Sequence, residues 1–251
     1  MALRRTRSLA QSIVPPLAFH KTGGPVVAIS GLAGGVGAST LTFLLASIAA
    51  NHSEAPVLAM DTGGPMACLD YFAGVKSEIS LVRAANQVAA NQVPQGLIVG
   101  SPYGARIMTV GREQDNVEFD PAGVVRMIEF ARQAHGLTVI DCGTLQREIE
   151  HCALTAATHV IWVFSATEKG VAQATSALRG EEHCIEAKEI LAARSDGQLD
   201  RATMSHITGV AQDRGSPLIL MPFISDLAVR DPRGLEQELG ATIQALVTLL
   251  R

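Results

Sequence analysis

Short apolar runs alternate with longer amphipathic segments along the chain from Pro25 onward. The first run, residues 26–30, is apolar up to its last residue and leads into a glycine-rich loop. Residues 40–50 are apolar on nearly every side of a helix, which indicates a buried helix. Buried strands separated by helices of about 10–15 residues are typical of a parallel sheet covered on both faces. The pattern therefore predicts an α/β fold with a doubly wound, mainly parallel sheet and helices on both faces.

The remaining elements follow from the same periodicities. Strands are predicted at residues 26–30, 57–60, 96–100, 107–110, 137–140, 158–164, 189–194 and 217–221. Helices are predicted at residues 40–50, 80–91, 122–134, 170–182, 202–213 and 234–249. We expect residues 25–251 to form a single domain, preceded by a flexible arm at residues 1–24 that carries three arginines.

Composition and charge narrow the class of protein. The chain has 251 residues, of which 47% are hydrophobic, so it can bury a core and is not an intrinsically disordered chain. No uninterrupted apolar run reaches the ~18 residues that span a bilayer, which predicts the absence of a transmembrane segment. A net charge of −4 argues against a protein that binds nucleic acid over its whole surface. The four cysteines show neither disulfide nor metal-ligand spacing, which indicates a reduced, cytoplasmic protein.

The last helix has a continuous apolar face and a polar side on which Arg251 is the only basic residue. Helices that lie on membrane surfaces favour lysine and arginine on their polar side. We therefore expect this helix to pack on the core of the domain through its leucines and isoleucine: Leu235, Leu239, Ile243, Leu246 and Leu250.

The glycine-rich loop is the strongest candidate for a binding site. Residues 31–40 read GLAGGVGAST and lie between the predicted buried strand and the predicted buried helix. Glycines allow backbone N–H groups and a helix N-terminus to approach an anion closely. The candidate ligand-binding residues in this loop are Gly34, Gly35, Val36, Gly37, Ala38, Ser39 and Thr40.

One interpretation of the loop is a P-loop, GxxxxGKS/T, in which the lysine contacts phosphates and the hydroxyl holds Mg²⁺. Gly37 and Ser39 fit this motif, but Ala38 stands at the lysine position. The apolar strand at residues 137–140 ends in Asp141, which is how a Walker B carboxylate is presented to Mg²⁺. Ser39 and Asp141 are therefore the candidate Mg²⁺ ligands for bound ATP or ADP.

The alternative interpretation is a dinucleotide-binding loop of the GxxxGxG kind, which Gly31, Gly35 and Gly37 match. In that case Asp61, at the end of the second strand, would bind a ribose. A short-chain dehydrogenase also needs a tyrosine followed four residues later by a lysine, as its acid/base group. Neither of the two tyrosines has a lysine at that spacing, so an NAD(P)-binding oxidoreductase is the least favoured alternative.

Residues 31–41 resemble the deviant Walker A motif of the ParA/MinD superfamily, KGGxGKS/T, and the ending GGVGAST is most similar to the CpaE/TadZ branch. Residues 57–61 and 137–143 are similar to the second strand and the Walker B segment of that superfamily. Residues 218–222 resemble the late strand whose following loop lines the adenine pocket, which makes Pro222 a candidate nucleotide-binding residue. The resemblance implies a homodimer formed through the face that carries the glycine-rich loop.

Three positions depart from the superfamily pattern. Ala33 stands at the signature lysine, Ala38 at the phosphate lysine, and Gly63 at the aspartate that helps to position the attacking water. Losing one well-placed charged donor commonly costs about 3–4 kcal/mol of transition-state stabilisation. We therefore expect nucleotide hydrolysis to be lost.

Lysines are scarce along the whole chain. Only four of the 20 basic residues are lysines, and none lies within residues 31–40. A cation for a bound nucleotide would then have to be an arginine from elsewhere in the chain, and the candidates are Arg106, Arg112 and Arg230.

The resemblance together with these departures favours a CpaE/TadZ-type localisation or assembly scaffold for a pilus or secretion machine. We expect protein partners from such a machine, no nucleic acid partner, and a cytoplasmic location that a partner directs to a cell pole or membrane. An atypical but active positioning or partitioning ATPase is the alternative.

Overall fold

The computed structural model describes residues 17, 19–62, 69–75, 81–89, 98–108, 120–180, 186–197, 199–224 and 232–250. The strands are β1 (Val26–Gly31), β2 (Val57–Asp61), β3 (Val99–Gly100), β4 (Arg106–Met108), β5 (Leu137–Asp141), β6 (His159–Ser165), β7 (Lys188–Ser195) and β8 (Leu218–Pro222). The helices are α1 (Ala38–His52), α2 (Leu69–Ala73), α3 (Leu81–Ala89), α4 (Pro121–Ala134), α5 (Glu148–Thr155), α6 (Glu168–Gly180), α7 (Arg201–Arg214) and α8 (Glu236–Leu249). A 3₁₀ turn, Pro232–Leu235, directly precedes α8.

All eight strands form one sheet in the order β3-β4-β2-β5-β1-β6-β7-β8. The pairing of β3 with β4 is antiparallel, and the other pairings are parallel. Strand β1 lies between β5 and β6, near the middle of the sheet. The predicted α/β fold with a mainly parallel sheet is confirmed.

The two faces of the sheet carry separate hydrophobic cores. Val27 and Ile29 of β1 face a core that includes residues of α1, α2 and α8. Val26 and Ala28, which point to the opposite face, belong to a core built with α3, α4, α5, α6 and α7. Because successive side chains of a strand alternate between faces, a strand that is covered on both sides must be apolar throughout. This explains the uninterrupted apolar run at the start of the domain.

Helix α8 packs on the core as its apolar face predicts. Leu239, Ile243 and Leu246 are buried, as are Leu235 before the helix and Leu250 after it. No helix in the described parts of the chain is long and apolar enough to cross a membrane.

Two short helices do not follow from the sequence pattern. These are α2 and α5, with five and eight residues. Helix α5 lacks the Ser, Thr, Asp or Asn that usually marks a helix start. Its first turn is closed instead by Glu150, whose carboxylate accepts hydrogen bonds from the backbone N–H groups of Gln146 and Arg147 at 2.7 and 3.2 Å.

The predicted arm at residues 1–24 lies mostly outside the described residues. Leu17 is buried, and its N–H donates to the His52 carbonyl at the end of α1. Phe19 packs against the same core as α1. The described end of this segment therefore contacts the domain.

Candidate functional site

In the glycine-rich loop, residues 31–37 connect the end of β1 to the start of α1, and residues 38–40 form the first turn of that helix. Gly35 and Gly37 have φ values of 72° and 103°, a region that favours glycine. Gly37 is the N-cap of α1, so no side chain caps the helix, and no acidic residue lies in its first turn. The positive end of the α1 dipole and its first N–H groups are thus left for an external anion.

Contacts with neighbouring strands fix the loop. The Gly31 N–H donates to the Gly143 carbonyl and the Leu32 N–H donates to the Val163 carbonyl, both at 2.8 Å. A Cβ added to Gly31 would lie 2.8 Å from Cγ2 of Val36, which is closer than carbon atoms approach. The side chains of Val36 and Ala38 are buried, so these two candidate residues offer a ligand only their backbone.

Asp141 ends β5, next to β1, and is the best candidate for a metal ligand. The side chain is 1% exposed, and Oδ1 accepts a hydrogen bond from the Gly143 N–H at 3.0 Å. Oδ2 is buried without a hydrogen-bond partner among the described residues. Burial raises the pKa of Asp141 above its usual range, and the Ser39 side chain close by and the N–H of Gly143 oppose that shift.

A divalent cation fits this arrangement. A buried carboxylate oxygen without a partner is costly, and a cation would both satisfy it and favour the ionised form. Ser39 supplies the hydroxyl that a P-loop uses for Mg²⁺, in the first turn of α1. The structure therefore brings together the two candidate Mg²⁺ ligands, Ser39 and Asp141.

Two further buried acids lie near Asp141. Asp61 ends β2 and is the register partner of Asp141 across the β2–β5 pair. Glu150 of α5 is also buried, and burial raises its pKa. Asp61 is therefore a neighbour of Asp141, the candidate metal ligand. Strand β5 lies between β2, which ends in Asp61, and β1, which leads into the glycine-rich loop.

The position of β5 also bears on the dinucleotide alternative. In the Rossmann order 3-2-1-4-5-6, the second strand pairs directly with the first. Here β5 separates β2 from β1. Ribose binding by Asp61 would require β2 to lie next to β1, as in the Rossmann order. The observed strand order therefore argues against the dinucleotide interpretation of the glycine spacing.

An apolar pocket opens beside the loop, between α1, the end of β8 and α8. The pocket joins the loop to the candidate adenine-pocket residue, because Gly37, Thr40 and Pro222 all line it. The other lining residues are Leu41, Leu44, Arg194, Met221, Phe223, Ile224, Leu239, Thr242 and Ile243.

Arg194 is a residue of this site that the sequence analysis did not identify. It lies near the end of β7, and its Nη1 donates a hydrogen bond to the Gly35 carbonyl at 2.8 Å. Its only sequence signal is its place near the end of a predicted strand, and the sheet order is needed to bring that strand near β1.

Of the three arginines named from the sequence, the structure describes Arg106, which does not lie at the loop. Arg106 is the first residue of β4 and so lies at the amino ends of the parallel strands, whereas the glycine-rich loop follows the carboxyl end of β1. Its Nη1 lies 3.3 Å from Nε2 of His135. Arg112 and Arg230 lie outside the described residues, as does Gly63 at the switch-aspartate position.

No protein-family model matches the chain. No curated protein matches it by sequence.

Solved structures do match. A ParA family ATPase from Chlorobium tepidum TLS is 16% identical, with a TM-score of 0.71 over 92% of this chain and 100% of the other. The MinC:MinD cell division protein complex of Aquifex aeolicus is 15% identical, with a TM-score of 0.71 over 90% and 95%. An McdA variant from Cyanothece, in complex with ATP, is 15% identical, with a TM-score of 0.72 over 91% and 96%. At this level of identity the likeness concerns the fold, and the chain has the P-loop NTPase fold of the ParA and MinD ATPases.

Proposed function

We propose that the chain is a ParA/MinD-like scaffold that binds ATP or ADP with Mg²⁺ and has lost the capacity to hydrolyse ATP. One observation carries the proposal. The Ser39 side chain lies close to Asp141, one oxygen of which is buried without a partner among the described residues, and the loop beside them has alanine at both lysine positions. Residues suited to hold Mg²⁺ are thus present, while both lysine positions of the loop motif carry alanine.

Each part of a nucleotide has a counterpart in the described site. The backbone N–H groups of residues 34–39 would bind the phosphates at the N-terminus of α1. Ser39 and Asp141 would hold Mg²⁺, which neutralises phosphate charge when it is bound. The base would enter the apolar pocket lined by Pro222. The ATP bound to the McdA variant of the same fold supports this assignment.

The loss of hydrolysis follows from what phosphoryl transfer requires. That reaction depends almost entirely on positioning and on electrostatic stabilisation of charge on the phosphates. Ala33 and Ala38 supply no charge. Removing one such donor typically lowers kcat by about 10²–10³-fold. Binding also draws on backbone amides and on Mg²⁺, which the two alanines leave unchanged.

The loss of hydrolysis is tested by phosphate release from the full-length chain with ATP and Mg²⁺. We expect turnover well below the roughly 0.02–0.6 per minute at which active P-loop proteins work unassisted. Faster turnover that Asp141→Ala abolishes would contradict the proposal. It would favour the second function, an atypical active positioning ATPase.

The partner class that we propose is a pilus or secretion machine, as the CpaE/TadZ-like loop indicates. A protein of this fold is found in complex with a protein partner in the MinC:MinD structure, which supports a scaffold that works through protein contacts. We propose a homodimer formed through the loop-bearing face.

The partner assignment is tested by imaging a fluorescently tagged chain in its native cell. Foci that coincide with a tagged pilus or secretion ATPase, and that disperse when that ATPase is deleted, are the expected result. A distribution that follows the nucleoid would instead indicate a partitioning protein.

A further inference from the structure

The side chain of Arg194 crosses from β7 to the glycine-rich loop. The nearest atoms to a Cβ built on Gly37 include its Cδ at 3.8 Å and its Nη1 at 4.0 Å. Since Gly37 is the N-cap of α1, the guanidinium lies beside the point at which the helix offers its first N–H groups. The same side chain lines the apolar pocket. Arg194 thus lies where the anion-binding loop and the pocket meet.

Three contacts hold the guanidinium in this place. Nη1 donates to the Gly35 carbonyl at 2.8 Å, and Nε lies 3.3 Å from Oδ1 of Asp196. The guanidinium carbon lies 5.2 Å from the centroid of the Phe223 ring, within the range of a cation–π contact. These contacts orient the side chain, which is 20% exposed and so is also open to a ligand.

The contacts leave part of the guanidinium available. An arginine has five N–H donors in a planar fork that matches a phosphate. Within the described ranges the hydrogen bond of this guanidinium is made by Nη1, and Nε is buried without a hydrogen-bond partner, although it lies near Asp196. Asp196 is more than half exposed, so its carboxylate offsets only a small part of the charge of Arg194.

The loop itself needs an outside cation if it is to bind a polyphosphate strongly. Residues 31–40 contain no charged side chain. The nearby carboxylate of Asp141 would repel phosphate in the absence of a metal ion. Arg194 is the described cation with a hydrogen bond to this loop.

From these observations we infer that Arg194 is the phosphate-binding cation of this site, contributed by β7 in place of the lysines that the loop lacks. A bound polyphosphate takes the guanidinium donors that face the loop, including the one that the Gly35 carbonyl now accepts. The inference rests on the proposed function, because that function supplies the nucleotide.

The test compares Arg194→Met, Arg194→Lys and the wild-type chain by calorimetric titration. Methionine keeps an unbranched stem against Gly37 and Phe223 but removes the charge, and lysine keeps the charge. The probes are ATP with Mg²⁺, tripolyphosphate and adenosine. Arg126→Met is the matched control, because Arg126 is an exposed arginine on α4 paired with Asp120.

We expect Arg194→Met to weaken ATP and tripolyphosphate binding by about 10–100-fold, the range for a hydrogen bond to a charged group. Adenosine, which has no phosphate, should bind all variants within about twofold of the wild type. Arg194→Lys should retain most of the polyphosphate affinity, and Arg126→Met should match the wild type.

Other outcomes separate this inference from the proposed function. Equal or tighter binding of ATP and tripolyphosphate by Arg194→Met would overturn the inference alone. So would a parallel loss of adenosine binding, which would show that Arg194 only shapes the loop and pocket. If the wild type binds tripolyphosphate but not ATP, and Arg194→Met loses it, the inference stands and the nucleotide proposal fails. If the wild type binds neither, both are overturned.

Discussion

The carboxylate of Asp141 illustrates how a binding group can lower the stability of the chain that carries it. The side chain is buried and one of its oxygens has no described partner. Burial raises its pKa, which means that the ionised form is less favourable in the folded chain than in the unfolded one. Ionisation of Asp141 therefore costs the ligand-free folded chain more than the unfolded one, and a bound cation would reduce that cost.

Asp141→Asn should raise the melting temperature of the ligand-free protein at pH 7.5 by about 3 °C or more, which corresponds to roughly 1 kcal/mol. Because the folded-state pKa lies above the unfolded one, the wild type gains stability as the pH falls through the folded pKa. The difference between the two proteins should therefore shrink towards acidic pH. Thermal unfolding followed by circular dichroism at several pH values checks this.

The control for this experiment is Asp213→Asn, because Asp213 is an exposed carboxylate on α7. It should leave the melting temperature unchanged at every pH. A lower melting temperature for Asp141→Asn at pH 7.5 would show that the ionised carboxylate stabilises the ligand-free fold.

At the scale of single residues, the sequence identified the groups that are local to a motif. Ser39 lies within the loop motif, and Asp141 ends an apolar run, so both were predictable. Arg194 was not, because 159 residues separate it from Gly35, whose carbonyl it binds. The order of strands in the sheet brings Arg194 and Gly35 together. The spacing of hydrophobic residues along the sequence carries no information about that order.

Among the elements, the strands were the most predictable, since a sheet with two cores requires continuous apolar runs. Most described boundaries fall within one or two residues of the predictions. Helix α1 begins at Ala38, two residues before its predicted start. The shift matters for the site because it places Ser39 in the first helical turn, where its side chain lies close to Asp141.

The two helices that the sequence pattern did not predict, α2 and α5, are short. Helix α5 buries Ile149, Ala153 and Leu154 against the core formed with α4 and α6. Its eight residues are fewer than the 11–18 over which a helical periodicity can be recognised in a sequence. Its packing, rather than its intrinsic propensity, accounts for its presence.

For the molecule as a whole, the parallel sheet explains how distant segments make one site. The carboxyl ends of β1, β5, β7 and β8 contribute the glycine-rich loop, Asp141, Arg194 and Pro222. In open α/β sheets, ligands bind at this edge. The chain combines that edge with a loop that has no lysine, which is the basis for our proposal of a nucleotide site without the lysine charges that drive hydrolysis.

The most direct test of this claim is the identity of the nucleotide that the protein retains. The full-length chain is incubated with radiolabelled ATP and Mg²⁺, separated rapidly from free nucleotide, and the bound fraction is analysed by chromatography. The account predicts that bound nucleotide is recovered as ATP after prolonged incubation, and that Asp141→Ala retains much less. Recovery of ADP from the wild-type chain, or of no nucleotide at all, would contradict it.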